Sequence, residues 1–167
     1  MTQPIHIPAC VLNKSTRYVR IDEGQGGAIG AGSFGRAYLA VDHMTNIAVV
    51  VKRQDLPSRE ALREFQCYSV LRSVPCQQLL AMLDYFVETF PAPSGSRGAP
   101  PAQIQQLYIV LEAADTSLWE LTRSAAGRRG LLDIQRASGL LREICLGVQH
   151  LHSLQIVHGD LSLKTFS

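Results

Sequence analysis

A glycine-rich stretch, residues 29–38, is the first feature of this sequence that could do chemistry. Its glycines stand at G-x-G-x-x-G spacing, as Gly30, Gly32 and Gly35. Because glycine has no Cβ, backbone N–H groups in such a run can approach a bulky anion closely. The pattern alone is weak, since most loop glycines are simply turn residues. The residues that follow must decide between a phosphate-binding loop and an ordinary turn.

The next residues predict two strands rather than a strand and a helix. Residues 37–41 are followed by a turn-like segment, 42–46, and then by the β-branched run 47–51. Lys52 closes that run. A dinucleotide-binding glycine loop would instead open a helix. A lysine that ends an apolar strand just behind a glycine loop favours a cationic partner for phosphate over an ordinary surface lysine.

This arrangement resembles the nucleotide site of protein kinases, where a glycine loop joins two antiparallel strands and a lysine follows on the next strand. By this resemblance, the loop residues that cover the phosphates of ATP are Gly30, Ala31, Gly32, Ser33, Phe34 and Gly35. Val50 stands where the family has the alanine of alanine-x-lysine, and Ala37 stands where it has a valine. The resemblance implies that these two side chains sandwich the adenine ring, with their sizes exchanged and the total volume kept, which packing tolerates well.

A helix is predicted over residues 59–73, because apolar residues recur there at helical spacing. In protein kinases a glutamate of this helix pairs with the strand lysine and directs it to the α- and β-phosphates. Glu60 and Glu64 are the candidates, and Glu64 lies closer to the helix middle. Two alternatives stay open. An ungapped count back from the following strand puts Cys67 at this position, and Glu64 could be a solvated charge on the helix face.

Two further strands are expected, one near residues 79–88 and one at 107–111. The second is apolar and therefore expected to be buried. Proline, glycine and serine dominate much of the sequence between them, which predicts a flexible insertion over residues 89–106.

The resemblance places Leu111 beside the adenine pocket and makes residues 112–114 the hinge between two lobes. Hinge backbone groups, including those of Glu112 and Ala114, would then bind the adenine edge. A short helix is expected next, capped by Asp115 or Thr116.

A long helix is predicted from Ile134 to Ser153, with Asp133 as its N-cap. Apolar residues lie on more than one of its faces, so we expect it to require further helices for its burial. Little sequence remains after it to supply them. Exposed apolar area and a tendency to associate are the expected consequence.

Residues 155–165 resemble the catalytic loop of protein kinases, H-R-D-L-x-x-x-x-N. The resemblance implies that Asp160 accepts or orients the substrate hydroxyl as it attacks the γ-phosphate. Gly159 replaces the arginine that pairs with a phosphorylated activation loop in the family. Lys164 could serve the γ-phosphate, and Thr165 replaces the asparagine that binds Mg²⁺, with a hydroxyl as the weaker ligand.

No D-F-G or A-P-E motif follows before the sequence ends. We therefore expect a partial protein kinase domain over residues 18–167, after a loose lead-in at 1–17. Its fold class is α+β, with an antiparallel β small lobe at 18–111 that carries one main helix. The first helices of an incomplete helical lobe follow at 115–167. Without the metal-binding aspartate of D-F-G, this chain alone is expected to transfer phosphate very poorly or not at all.

ATP and Mg²⁺ are the cofactors that the resemblance implies, and the parent protein is expected to phosphorylate serine or threonine hydroxyls of proteins. Two alternatives stay open. One is a pseudokinase-type module that binds a partner protein. The other is a phosphotransferase for small molecules, because H-G-D-L at residues 158–161 is similar to the loop of aminoglycoside and choline kinases.

Composition argues against some classes of partner and indicates a cellular compartment. A net charge of +2 argues against a polybasic protein that binds nucleic acid or a membrane surface. The four cysteines form no C-x-x-C pair, so we interpret them as reduced, mostly buried thiols. The N-terminus has no apolar signal segment, and no apolar run approaches membrane-spanning length. A cytoplasmic or nuclear protein is expected.

Overall fold

The computed structural model describes residues 16–21, 28–32, 35–92, 103–123 and 134–161, with only the backbone for 28–32. These residues form two compact units. The first comprises the chain up to Ser73 together with Ala81–Ala113. The second comprises Val74–Leu80 and the chain from Ala114 onward. The chain therefore passes from the first unit to the second for the last time within residues 112–114.

The first unit is an antiparallel sheet with one helix. Its strands are β1 (Tyr18–Arg20), β2 (Ala28–Gly32), β3 (Gly35–Asp42), β4 (Ile47–Leu56), β5 (Met82–Pro91) and β6 (Gln103–Glu112). The strand order across the sheet is β1-β3-β4-β6-β5, and β2 also pairs with β3. Helix α1 (Arg59–Ser73) follows β4. This antiparallel sheet with its helix confirms the predicted α+β class.

Two separate strands of the described residues, β1 and β2, pair with β3. β1 pairs with residues 40–42 of β3, and β2 pairs with residues 35–38. Both therefore lie along the same edge of β3. The glycine-rich sequence between them, which is unfavourable for a strand, lies outside the described residues.

Each face of the sheet contains a buried apolar cluster. The inner face, which α1 covers, contains the cluster Ala61, Phe65, Met82, Val87, Leu107, Ile109 and Leu111. The outer face contains the cluster Tyr18, Ala40, Val49, Val51, Phe86 and Val110. β6 contributes to both clusters, which is why its central residues are apolar without alternation.

Helix α1 begins and ends where the sequence predicts. The Oγ of Ser58 accepts a hydrogen bond from the backbone N–H of Ala61 at 3.2 Å, so Ser58 is the N-cap. Ala61 and Phe65 lie four residues apart and are both buried. This spacing puts them on one face of the helix, and that face packs on the sheet.

Strands β5 and β6 extend beyond their predicted ends. Residues 89–91 pair with residues 103–105. The predicted bounds of the flexible insertion, 89–106, are therefore too wide. Backbone pairing continues past the apolar residues because each antiparallel partner supplies hydrogen bonds to the other. Residues 93–102 lie outside the described residues.

The second unit contains helices α2 (Leu118–Arg123) and α3 (Ile134–Ser153). The bounds predicted for α3 are confirmed. The segment Val74–Leu80 covers one face of α3. Gly147 permits this close approach, because a Cβ there would lie 3.2 Å from the carbonyl oxygen of Gln78. The Nε2 of Gln78 also donates to Glu143 Oε2 at 2.9 Å.

Other apolar residues of α3 are exposed, as predicted. Ile134 is 80% exposed and Leu141 is 61% exposed. Nothing among the described residues covers them.

The predicted cap of α2 is wrong. Ser117, rather than Asp115 or Thr116, accepts the backbone N–H of Glu120 on its Oγ at 3.2 Å. Glu120 in turn accepts the backbone N–H of Ser117 on its Oε2 at 3.4 Å. This reciprocal Ser-x-x-Glu pair satisfies two donors at once, which a cap at either preceding residue would not. The predicted cap of α3, Asp133, lies outside the described residues.

The prediction of mostly buried thiols is also wrong for the described residues. Cys67 and Cys76 are half-buried and Cys145 is exposed, and all three are free. Cys145 lies on α3, some of whose side chains face solvent. Cys10 lies outside the described residues.

Arg17 and Asp42 form a charged cluster beside β1, on the outer face of the sheet. Arg17 was assigned to the loose lead-in, yet its Nε and Nη2 donate to the two carboxylate oxygens of Asp42 at 2.8 and 2.7 Å. The backbone N–H of Met44 donates to the same carboxylate at 3.0 Å. Asp42 is only 5% exposed. The hydrogen bonds from Arg17 hold the pKa of the Asp42 carboxyl well below its usual range.

This cluster should make the first unit sensitive to acid. A carboxyl whose folded pKa is depressed stabilises the fold above its unfolded pKa, near 3.9, and that stabilisation is lost as the pH falls through the folded pKa. We expect the urea midpoint of the wild type to fall as the pH is lowered from about 5 to about 3. Asp42→Asn should cost about 2 kcal/mol at pH 7 and should flatten the acid dependence. If the urea midpoints of the wild type and Asp42→Asn fall in parallel as the pH is lowered, this explanation is contradicted.

Candidate functional site

Lys52 lies on the inner face of the sheet. Its cross-strand partners are Ala37 on β3 and Ile109 on β6. Cross-strand partners project on the same side of a sheet, and Ile109 belongs to the inner cluster. The side chain of Lys52 therefore extends toward α1.

Glu64 of α1 meets this lysine. The Nζ of Lys52 lies 2.6 Å from Glu64 Oε1 and 2.7 Å from Oε2. Both side chains are about three-quarters buried. The position of Glu64 follows from helix geometry, because it directly precedes the buried Phe65 and follows the buried Ala61 by three residues.

The choice of Glu64 over the other candidates is confirmed as far as the pairing is concerned. Glu60 lies in the first turn of α1, where its carboxylate accepts the Ser58 hydroxyl at 3.0 Å. That hydrogen bond and its own backbone lower the pKa of Glu60. Burial raises the pKa of the Cys67 thiol, and the lysine makes its ion pair one turn earlier. What the Lys52–Glu64 pair binds stays a prediction.

Gln54 is a member of this network that the sequence reasoning missed. Its Nε2 donates to Glu64 Oε2 at 2.7 Å, and the residue is only 4% exposed. Gln54 lies two residues after Lys52 on β4 and therefore on the same face. The sequence did contain a signal for Gln54, because it is the next residue after Lys52 on the same face of the strand.

Three predicted apolar residues share the inner face with Lys52. Val50 pairs with Leu111 across β4 and β6, and it also pairs with Leu39 on β3. Ala37 is the partner of Lys52 itself. Leu111 is buried, whereas Ala37 and Val50 are half-buried. The register thus brings Ala37, Val50, Lys52 and Leu111 to one face of the sheet, and binding of adenine by them stays a prediction.

The glycine stretch forms the hairpin of β2 and β3. Gly30 pairs with Ala37, Ala31 with Arg36, and Gly32 with Gly35. The two residues at the tip, 33 and 34, lie outside the described residues. The two predicted antiparallel strands of the glycine stretch are therefore paired, and phosphate binding by the stretch stays a prediction.

Gly35 has a structural requirement of its own. Its φ is +120°, a region that L residues rarely adopt, and a Cβ there would lie 2.3 Å from the carbonyl oxygen of Arg53. The third glycine of the motif is thus fixed by close packing of β3 on β4. Its presence is explained without any ligand.

The predicted hinge begins with a residue that is already engaged. The backbone N–H of Glu112 donates to the carbonyl oxygen of Ala81 at 3.1 Å. The Glu112 carboxylate accepts the backbone N–H of Ala81 at 2.9 Å. These bonds tie the end of β6 to the start of β5 and leave the Glu112 N–H no role toward a ligand. Binding of adenine by Ala114, which lies in the second unit, stays a prediction.

The second predicted constellation follows α3. The helix ends where Gln155 takes φ 59° and the backbone N–H of Ile156 donates to the Leu151 carbonyl at 2.9 Å. Gly159 has φ 77°, and the backbone N–H of Asp160 donates to Nδ1 of His158 at 3.3 Å.

Asp160 is exposed and lies in the second unit. The other two candidates from this loop, Lys164 and Thr165, lie outside the described residues.

The described residues also bear on metals and membranes. No group of three histidine, cysteine, aspartate or glutamate side chains that could hold a metal ion occurs among them. None of the helices in the described ranges is long and apolar enough to cross a bilayer.

Comparisons with known proteins identify the family of the chain. The family model for the protein kinase domain matches residues 24–164. A stress-activated protein kinase JNK of Drosophila melanogaster is 27% identical over 136 residues, which are 80% of this chain and 32% of that protein. The chain thus spans about a third of the length of this relative. The chain belongs to the protein kinase family.

Proposed function

We propose that the first unit binds ATP on the inner face of its sheet. The observation that carries this proposal is the ion pair between Lys52 and Glu64. It lies on the face that also bears Ala37, Val50 and Leu111. A lysine held in this way presents its ammonium group to phosphates, while apolar side chains beside it accept a flat ring.

The remaining residues of the site have proposed roles. The backbone of the glycine hairpin, Gly30 to Gly35 with Ala31, Ser33 and Phe34, covers the phosphates. Ala37 and Val50 lie on the two sides of the adenine, with Leu111 beside it. Because the Glu112 N–H is bonded to Ala81, the carbonyl of Glu112 and the backbone of Ala114 are the groups left for the adenine edge.

In the parent protein, Asp160 orients the hydroxyl of a protein serine or threonine toward the γ-phosphate, and Lys164 contacts that phosphate. Mg²⁺ would neutralise charge on the phosphates. The Thr165 hydroxyl, at the position of the family's Mg²⁺-binding asparagine, is the ligand that the resemblance offers. We assign no step to the metal.

A titration with Mg·ATP, followed by thermal shift, tests the proposal. Lys52→Ala should weaken the binding of ATP at least tenfold, because the phosphates lose their fixed cation. Glu64→Gln, which keeps the lysine but not its carboxylate partner, should have a smaller effect in the same direction. Arg63→Ala is the matched control: it removes an exposed cation from α1 and should bind as the wild type does. Equal affinities for the wild type and Lys52→Ala would end the proposal.

Gln54 should act as a positioning residue for this site. Gln54→Leu removes the second donor to Glu64, so Lys52 would be held less firmly, and we expect ATP affinity to fall about three- to tenfold. The control is Gln106→Leu, which removes the hydrogen bond of 2.8 Å from Gln106 Nε2 to Asp55 on the outer face. If both variants change ATP affinity equally, the effect is not specific to Glu64.

A second candidate is a module that binds nucleotide and a partner without transferring phosphate. Gly159 favours it, because φ 77° suits glycine and an arginine there would require a different backbone. ATP turnover of the parent protein separates the two candidates, since this chain alone is expected to transfer phosphate very poorly or not at all. A transferase should lose turnover in Asp160→Asn with ATP binding kept, whereas a binding module should show no turnover to lose. The match of the protein kinase model supports a protein acceptor over a small molecule.

A further inference from the structure

The outer face of the sheet carries three arginines on neighbouring strands. Arg20 lies on β1 opposite Ala40, and Arg36 on β3 lies opposite Arg53 on β4. These pairings put all three on the side opposite Lys52. We call Arg20, Arg36, Arg53 and the tyrosine between them, Tyr38, the arginine surface.

Tyr38 organises this surface. The Cζ atom of Arg20 lies over its ring at 4.1 Å from the centroid, and the Cζ atom of Arg53 lies over it at 5.8 Å. The tyrosine itself is buried. A guanidinium over an aromatic face is attracted by the ring quadrupole and remains able to donate hydrogen bonds at its edge. The ring therefore orients two cations.

None of the three arginines of the arginine surface forms an ion pair with a described carboxylate. Like charges directly opposite each other on two strands destabilise a sheet, and Arg36 and Arg53 are such a pair. The ion pairs among the described residues involve other cations, namely Arg17, Lys52 and Arg142. An anion bound from outside would relieve this repulsion.

The nearby carboxylates of this face have other partners or are buried. Asp42 and Asp84 accept hydrogen bonds from Arg17 and Tyr18 respectively. Asp55 accepts one from Gln106. Glu88 is buried, and with burial it raises the pKa of Tyr108 to about 12.

The geometry favours an extended peptide as the occupant. The three guanidinium groups come from three adjacent strands, which lie about 4.8 Å apart, so they are spread out and do not surround a single point. An extended acidic peptide, whose alternate side chains stand about 6.6 Å apart on one side, can place several carboxylates along such a spread of cations.

We propose that the arginine surface binds an extended acidic segment of a partner protein, with glutamate or aspartate at alternate positions. The site is on the opposite face of the sheet from the proposed ATP site and does not depend on it. Binding should weaken as salt is raised, since the cations are exposed or half-exposed.

The test is fluorescence anisotropy of a labelled peptide of alternating glutamate and alanine, titrated with the full chain at low salt. The wild type should bind, and Arg20→Gln, Arg36→Gln and Arg53→Gln should each weaken binding about two- to fivefold. The triple variant should weaken it at least tenfold. Circular dichroism checks folding. If the triple variant does not fold, Arg36→Gln decides the test, because Arg36 has no ring contact to lose.

The matched control is a triple variant of α1 that removes the same charge from exposed positions of the same unit: Arg59→Gln, Arg63→Gln and Arg72→Gln. It should bind the peptide within about twofold of the wild type, and saturating Mg·ATP should not displace the peptide. Equal loss in the two triple variants would overturn the proposal, as would displacement by ATP. So would tighter binding of a phosphopeptide of equal charge, an oligonucleotide or anionic vesicles.

Discussion

Gly35→Ala should lower the free energy of unfolding by about 3 kcal/mol or more, the largest effect of any glycine substitution considered. Two costs combine at this position. An L residue at φ +120° is strained, at about 1–3 kcal/mol. The added Cβ would also lie 2.3 Å from the Arg53 carbonyl oxygen and 3.0 Å from the Cγ of Gln54. The first of these atoms belongs to the backbone of a central strand, so β3 and β4 must separate to make room.

Two other glycines separate these costs. Gly159 has φ 77° and nothing within 4 Å of a Cβ, so Gly159→Ala should show the strain alone, about 1–2 kcal/mol. Gly139 lies in α3 with open space around it and an ordinary φ, so Gly139→Ala should stabilise the helix by up to about 1 kcal/mol. Urea unfolding followed by circular dichroism gives the three values. A loss in Gly35→Ala no larger than that in Gly159→Ala would contradict the predicted backbone overlap.

This result would change how loss of function in the glycine stretch is interpreted. A variant of Gly35 that no longer binds ATP would do so first because the sheet is disrupted, whatever the loop contributes to the phosphates. Only substitutions at the other two glycines of the motif, Gly30 and Gly32, are informative about phosphate contact, and only with unfolding measured alongside.

Elements with strong periodicity could be predicted from the sequence, and pairings that depend on a partner could not. Helices α1 and α3 have their predicted bounds because their apolar spacing and α1's cap lie within the helix sequence itself. The ends of β5 and β6 were missed, since each is extended by hydrogen bonds from the other and not by its own pattern. The cap of α2 was missed because Ser117 and Glu120 act together.

The same distinction applies to the candidate site. Lys52 was predicted because it follows the glycine loop and a β-branched run, and Glu64 because it lies near the middle of the next helix. Gln54 belongs to no motif, and only its register on β4 and the position of α1 bring its amide to Glu64. Likewise, the positive φ of Gly35 arises from the packing of two strands, so sequence reasoning assigned this glycine to ligand binding alone. Long-range register is the information that the sequence pattern lacks.

Val50→Phe should weaken the binding of Mg·ATP at least tenfold while leaving the chain folded. Val50 lies on β4 with Leu39 and Leu111 beside it on the inner face, and it is half-buried. A phenylalanine there can cover its apolar neighbours with its own ring and so occupy the space proposed for adenine. Each tenfold loss of affinity corresponds to about 1.4 kcal/mol, which is well within what exclusion of one ring face costs.

A graded series at position 50 separates pocket filling from general damage. Val50→Ala should keep ATP affinity within about fivefold, Val50→Ile should reduce it slightly, and Val50→Phe should abolish most of it, if side-chain volume is the cause. Calorimetric titration gives the affinities, and the melting temperature without nucleotide monitors folding. Unchanged ATP binding in Val50→Phe would show that adenine does not lie against β4. If Val50→Phe loses ATP but still binds the acidic peptide, the two faces of one sheet serve two different ligands.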